Sequence, residues 1–224
     1  MSDRGRAWLA LENGLVTEGR SIGAPGEASG DLVFNTAMSG YQEILTDPSY
    51  AGQGVVMTYP LIGNYGVAQE DMESSRPWAE AFVIMELSEI ASNHRASERL
   101  DEWLARLGVV ASDGLDTRML TKAIREQGSL RFVLSTTDSD PESLVAKARA
   151  ATSTDGRDLA STVTCAEPFS WSEQYDASYP ELVRAWEGER LSCVAYDFGA
   201  KRNILRSLVH FGFDVTVVPA PTPA

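Results

Sequence analysis

At 224 residues, 43% hydrophobic and 23% charged, the chain is long enough to bury one or two cores. Its 19 basic and 32 acidic residues leave a net charge of −13, a field that repels nucleic acid and anionic membrane surfaces and so excludes both as first-choice partners. No apolar run approaches the ~18 residues of a membrane span. The stretch Ser2–Arg6 lacks the apolar core of a signal peptide, and Cys165 and Cys193 form no C-x-x-C pair, so the expectation is a cytoplasmic protein without a disulfide framework or zinc site.

In chain order, Leu9 and Leu11 alternate with polar neighbours ahead of Asn13-Gly14, a positive-φ dipeptide that predicts a hairpin toward Gly19. Leu32–Phe34 and Val55–Tyr59 read as further strands, the second closed by Pro60, with a short helical turn at Tyr41–Leu45 and a turn at Asp47-Pro48-Ser49 between them. Ala81–Met85 reads as a strand covered on both faces. Leu100, Trp103, Leu104 and Leu107 recur at i, i+3, i+4 and i+7, predicting a helix capped by Ser97 and ended by Gly108. A short strand at Val109–Ala111 follows. Asp116 then caps a second helix with Met119, Leu120, Ala123 and Ile124 inward, stopped at Gly128, and Phe132–Leu134 returns to strand. The pattern predicts an α/β domain in which helices pack against a sheet.

Asp140-Pro141 opens another helix, with proline where its missing N–H does no harm. The polar, aromatic-bearing stretch after Ala151 reads as a connector with helical spacing only at Pro180–Trp186. From Leu191 the pattern becomes strand (Cys193–Tyr196), loop (Asp197–Ala200), helix (Lys201–Phe211), Gly212 and strand (Val215–Val218). Such a β-α-β unit opens a parallel sheet, and alone it cannot cover both faces of one.

Few residues invite chemistry. Cys193, between Val194 and Ala195, reads as an inert core thiol, and Cys165 has no basic neighbour to lower its pKa. His94 falls in a turn and His210 near a helix C-terminus, where a cation suits the dipole. The loop Phe198-Gly199-Ala200-Lys201-Arg202-Asn203 joins cations to a helix N-terminus and is a candidate anion site, although it lacks the Walker A and dinucleotide spacings. Asp116-Thr117-Arg118 reads as an N-cap followed by a surface arginine rather than as a ligand site, and the turn-rich Gly40–Glu43 and Asp47–Tyr50 as loops able to touch a ligand, which turn chemistry explains equally well.

The run Phe34-Asn35-Thr36-Ala37-Met38-Ser39-Gly40-Tyr41-Gln42-Glu43-Ile44-Leu45-Thr46-Asp47-Pro48-Ser49-Tyr50 closely resembles the signature of the small, glutamine-hydrolysing subunit of carbamoyl phosphate synthetase. The likeness continues through Thr58–Gly66, Glu73-Ser74-Ser75, Ile90–Asn93, Asp116–Thr121 and Val194–Leu205. It implies an N-terminal swivelling β/β/α domain over residues 1–152, a connector over 153–190, and over 191–224 the first β-α-β unit of a flavodoxin-like class I glutamine amidotransferase domain. It also implies a role in supplying ammonia to a large subunit, which uses ATP and Mg to make carbamoyl phosphate for arginine and pyrimidine synthesis. The Gly-x-Cys-x-Gly-His nucleophile elbow and the His-x-Glu pair of that family do not occur here, so no catalytic residue and no cofactor is expected on this chain. Ser49 matches the serine whose hydroxyl contacts bound L-glutamine. A non-catalytic docking or regulatory module for the large subunit is the alternative that the same resemblance allows.

Overall fold

The computed structural model describes residues 4–175 and 186–223. Its first part holds β1 (Arg6–Leu11), β2 (Val16–Ser21), β3 (Glu27–Asn35), α1 (Tyr41–Thr46), a 3-10 turn (Pro48–Tyr50), β4 (Gln53–Met57), β5 (Leu61–Ile62), β6 (Ala81–Val83) and β7 (Glu86–Leu87). These are followed by α2 (Leu100–Arg106), β8 (Val110–Asp113), α3 (Thr117–Gln127), β9 (Leu130–Ser135) and α4 (Pro141–Ala150). The remainder holds α5 (Ala160–Val163), β10 (Phe169–Trp171), β11 (Leu191–Asp197), α6 (Arg202–His210) and β12 (Phe213–Pro219).

The first sheet closes into a barrel in the order β1-β2-β8-β6-β4-β3-β9. The pairs β3–β4, β4–β6 and β6–β8 are parallel, and β9 completes the circle by lying antiparallel to both β1 and β3. The expected sheet with helices packed against it is present, and it closes on itself, a feature that the sequence reading did not specify, so that no edge is left for pairing.

The alternation of strand side chains assigns the two faces. Leu9, Leu32, Val56, Val83, Val110 and Phe132 come from strands on opposite sides of the circle and form one buried cluster, so they fill the interior. Leu120 and Ile124 of α3 join that cluster and plug the barrel from one end. A side chain at Gly54 would collide with the Phe132 ring, at 2.4 Å, which is why this strand carries glycine there. On the outside, Val55, Met57, Phe82 and Ala111 pack under α1 and α2, while Ala10 and Val133 pack under Leu144 and Ala148 of α4. Each buried Val, Leu, Ile, Met or Phe side chain among these contributes about 1.5–3 kcal/mol by leaving water.

Several local expectations hold, and several are corrected. Gly14 turns the hairpin at φ 97°, Asp116 accepts a hydrogen bond from Met119 N–H as N-cap of α3, and Asp140 caps α4. Ser97 does not cap α2. Its hydroxyl donates to Val67 O, and Arg99 holds the extended N-cap backbone. Leu107 lies beyond the last turn of α2 and is 37% exposed, so the buried stripe ends at Leu104. The strand read as Ala81–Met85 ends at Val83, and Met85 is exposed. The segment read as a connector carries α5 and β10, and β10 pairs antiparallel with β12. The helical spacing read over Pro180–Trp186 falls almost wholly outside the described residues.

The second sheet has the order β10-β12-β11, with β11 and β12 parallel. Leu205, Val209, Val215 and Val217 cover one face. β11 is an edge strand whose Leu191, Val194 and Tyr196 stay exposed, which bears out the expectation that this unit does not cover both faces of its sheet. For the same reason Cys193 is only half-buried, not the core residue its neighbours suggested.

Candidate functional site

Ser49 occupies the middle of the 3-10 turn and is exposed. The turn forms because Asp47 precedes a proline at the first helical position: its carboxylate accepts from Ser49 N–H at 2.9 Å, closing an Asx turn that proline's fixed φ favours. Tyr50 anchors the other side, its phenol accepting from Asn35 Nδ2 at 2.9 Å. Pro48 is buried against the second unit, where a side chain on Gly199 would stand 2.9 Å from Pro48 Cβ and Val163 Cγ2. Gly199 sits at φ +92°, so both its conformation and its surroundings require glycine. The second oxygen of Asp47 lies 3.3 Å from Lys201 Nζ. The backbone that carries Ser49 is thereby tied to the residue preceding α6.

The long signature run is mostly structural. Tyr41 is fully buried, stacks on Tyr65 with centroids 4.2 Å apart, and donates its hydroxyl proton to Gly66 O. Tyr65 Oη accepts from Gly40 and Tyr41 N–H. Burial pushes both phenols up, Tyr65 to about 12, so neither ionises at neutral pH. Gln42 clasps Ala68 from both sides, donating to its carbonyl at 2.6 Å and accepting from its N–H at 2.8 Å. Thr46 Oγ1 accepts from Glu73 N–H and so carries the fold of α1 into the next segment.

Glu73 is the residue around which the seam is organised, and no spacing in the sequence reveals it. Only 5% exposed, it accepts from Asn203 N–H at 3.0 Å and from Asn203 Nδ2 at 2.6 Å, while its own carbonyl accepts from Arg202 N–H. Glu73 thus satisfies two N-terminal N–H groups of α6, that of Asn203 through its carboxylate and that of Arg202 through its carbonyl, where the helix dipole favours negative charge. Asp197 Oδ1 accepts from Gly199 and Ala200 N–H, and its Oδ2 from Cys165 N–H. The loop read as an anion site from Phe198 to Asn203 is corrected in part: the backbone N–H groups of Gly199, Ala200, Arg202 and Asn203 are taken by Asp197 and Glu73, and Lys201 is paired with Asp47. Arg206, buried to 5% exposure, bonds Glu173, Glu70 O and Asn203 Oδ1.

Between these parts lies a cavity of about 290 Å³ lined by Pro48, Glu73, Trp78, Cys165, Asp197 and Arg202, among others. Ser49 stands one residue beyond this lining. Burial, reinforced by Asp197, pushes the Cys165 thiol up, which opposes a reactive thiolate. Cys193, His94 and His210 do not join the seam: Cys193 lies along β11, His94 is exposed in its turn, and His210 packs edge-on against Tyr175 and Phe211 in the last turn of α6. No group of three or more metal-ligating side chains occurs among the described residues, and no helix among them is long and apolar enough to cross a membrane. Among the described residues, the seam presents an exposed Ser49 and brings no nucleophile together with a base.

Comparison with known proteins gives this geometry a context. Residues 9–134, which span the barrel, match the family model described as carbamoyl-phosphate synthase small chain, CPSase domain. The chain is similar to the carbamoyl phosphate synthase small chain of Syntrophotalea carbinolica, at 53% identity over 221 residues, and to that of Nitratidesulfovibrio vulgaris, at 50% over 220. It is 48% identical over 221 residues to that of Escherichia coli. These alignments cover 98%, 96% and 97% of this chain but 58% of each relative, so the chain spans a little over half the length of the proteins it matches. With a family model over more than half its length and identities near one in two, the chain belongs to the family of carbamoyl phosphate synthase small chains.

Proposed function

We propose that this chain is the amino-terminal part of the glutaminase subunit of a glutamine-hydrolysing carbamoyl phosphate synthase, in which Ser49 helps to hold L-glutamine. The domains run over 1–152 (the swivelling β/β/α unit), 153–190 (a connector) and 191–224 (the start of a flavodoxin-like amidotransferase domain). The whole protein acts in the cytoplasm. It passes ammonia to a large subunit, which binds ATP and Mg and makes carbamoyl phosphate for arginine and pyrimidine synthesis.

The observation that carries this reading is the exposed Ser49, presented by a capped turn beside the second unit, in a chain 53% and 48% identical to two small chains over nearly its whole length. A serine so placed orients substrate and does not attack it, because no base among the described residues hydrogen-bonds its hydroxyl. The nucleophile elbow and its His-x-Glu partners do not occur in these 224 residues, so this stretch alone does not hydrolyse glutamine.

Two assays test the reading. The purified chain should release no ammonia from glutamine, and release that disappears in Cys193→Ser would overturn it. In a full-length small chain assembled with its large subunit, Ser49→Ala should raise KM for glutamine about tenfold, the loss of one hydrogen bond to substrate, while synthesis driven by free ammonia stays unchanged. An unchanged KM would remove Ser49 from the site. The docking-module alternative draws support from the closed, fully packed barrel beside a second unit with a bare sheet face. Capture of the large subunit by this chain alone would favour it.

A further inference from the structure

A second cavity, of about 210 Å³, lies where the amino ends of the parallel strands β4, β6 and β8 meet the segment between α4 and α5. Gly52, Arg76, Trp78, Glu80, Gly108 and Arg157 are among its walls. Two guanidinium groups reach it from residues that are otherwise exposed. That of Arg76 stacks on the Trp78 ring, 3.7 Å from the centroid, and Trp78 is itself held by donation from Nε1 to Ser74 Oγ. Stacking occupies the face of the guanidinium and leaves its N–H edge available. Arg157 Nη1 lies 3.2 Å from where a Cβ on Gly52 would stand, and Gly52, at φ +78°, carries none.

Neither guanidinium has a carboxylate within 4.0 Å among the described residues. Arg20, Arg95, Arg99, Arg106, Arg131 and Arg206 each have one; Arg118, Arg125, Arg149 and Arg202 also have none, but none of these lines this cavity. In a chain with 32 acidic and 19 basic residues, two arginines in one cavity without an ion pair are a local reversal of the prevailing field. Glu80 lines the same space but pairs with neither, so the walls carry two positive charges against one negative.

We propose that this cavity binds a phosphate-class oxyanion, held between the Arg76 and Arg157 guanidinium forks. A carboxylate offers two oxygens and is used up by a single fork. A tetrahedral phosphate offers enough oxygens for both, and a dianion matches the two cations. The volume admits such an ion together with ordered water, each water claiming about 30 Å³. Binding joins the barrel to the segment that leads into the second unit, since Arg76 belongs to the first and Arg157 to the second.

The test is calorimetric titration of the purified chain at constant ionic strength with inorganic phosphate, glycerol phosphate and acetate. Saturable one-to-one binding of either phosphate is expected, with acetate much weaker, and the tighter of the two phosphates identifies free phosphate or a phosphate ester as the source. Arg76→Gln and Arg157→Gln should each raise Kd about tenfold, the loss of one charge-assisted fork. Arg125→Gln, exposed on α3, should leave Kd unchanged. Circular dichroism and thermal melting of each variant check that it is folded. Non-saturating heats shared by phosphate and acetate, or an unchanged Kd in the Arg76→Gln/Arg157→Gln double variant, would overturn the proposal.

Discussion

Replacing Glu43 by glutamine should stabilise this protein, and increasingly so as pH rises. Glu43 lies in α1, and its carboxylate curls back over Gly40, whose Cβ position would be 3.7 Å from Oε2. That oxygen is buried and has no hydrogen-bond partner. Burial pushes the carboxyl up from its ordinary value. Its own backbone N–H opposes the shift, while the nearby charges of Asp71 and Glu73 reinforce it. Arg95 offers little relief because it grips Asp71 through both terminal nitrogens, at 2.9 and 3.2 Å. Because the folded pKa is raised, the stabilising contribution of the protonated form is fully present below the unfolded pKa and is lost as pH rises through the folded one. Leaving a buried acceptor unsatisfied costs about 1–3 kcal/mol, and more for a charged group. Glu43→Gln removes the charge and keeps the shape. Urea denaturation should therefore show a gain of about 1–3 kcal/mol at pH 8, roughly 2–10 °C in Tm for a chain of this size, shrinking toward zero near pH 4. A variant equally or less stable than the parent at pH 8, or a difference independent of pH, would refute the reasoning.

Other substitutions probe the seam and its approaches. Glu73→Ala strips Asn203 N–H and Nδ2, at the start of α6, of their carboxylate acceptor and should cost about 1–3 kcal/mol, read as protease sensitivity of residues 191–223 ahead of the barrel. Gly199→Ala forces a Cβ to 2.9 Å from Pro48 at positive φ, and thermal melting should show a loss of about 1–3 kcal/mol. Asp31, 3% exposed, is raised by burial, but acceptance from Thr154 N–H, Thr154 Oγ1 and Ser153 Oγ outweighs this and holds its pKa below the usual range. Its contribution is thus present above the unfolded pKa and lost as pH falls through the folded one. Asp31→Asn should flatten the acid limb of the stability curve and cost about 1–3 kcal/mol at pH 7 in urea denaturation.

The sequence discloses the elements better than their closure. Strand alternation, the Asn13-Gly14 turn and the caps at Asp116 and Asp140 are local signals, each needing only a few neighbouring residues. Barrel closure depends on β9 pairing with β1 and β3, strands roughly a hundred residues earlier, and no local period encodes such a partner. Ser97 illustrates a local signal overridden: its hydroxyl finds Val67 O, and α2 starts after Arg99 with no side-chain cap. The candidate site follows the same division. The turn at Asp47-Pro48-Ser49 is legible because aspartate and proline define it. Glu73 is not, because its value lies in meeting Asn203 across 130 positions.

The loop from Phe198 to Asn203 shows what a chemically sound local reading omits. Its helix N-terminus and cations do attract anions, and the anions it finds are carboxylates of the same chain: Asp197 within the loop, Glu73 and Asp47 from the barrel. The attraction that suggested a ligand site instead fastens the two units together. This fastening passes through the signature run, since Thr46 positions Glu73, and Asp47 both caps the turn of Ser49 and pairs with Lys201. The half-exposed Lys201–Asp47 pair contributes little to stability by itself, at most about 1 kcal/mol. Its weight is geometric: one carboxylate holds the Ser49 backbone with one oxygen and the approach to α6 with the other. A displacement of the second unit is therefore felt at the Ser49 hydroxyl, and the most specific run in the sequence is better understood as the joint that sets this hydroxyl against the second unit than as a catalytic surface.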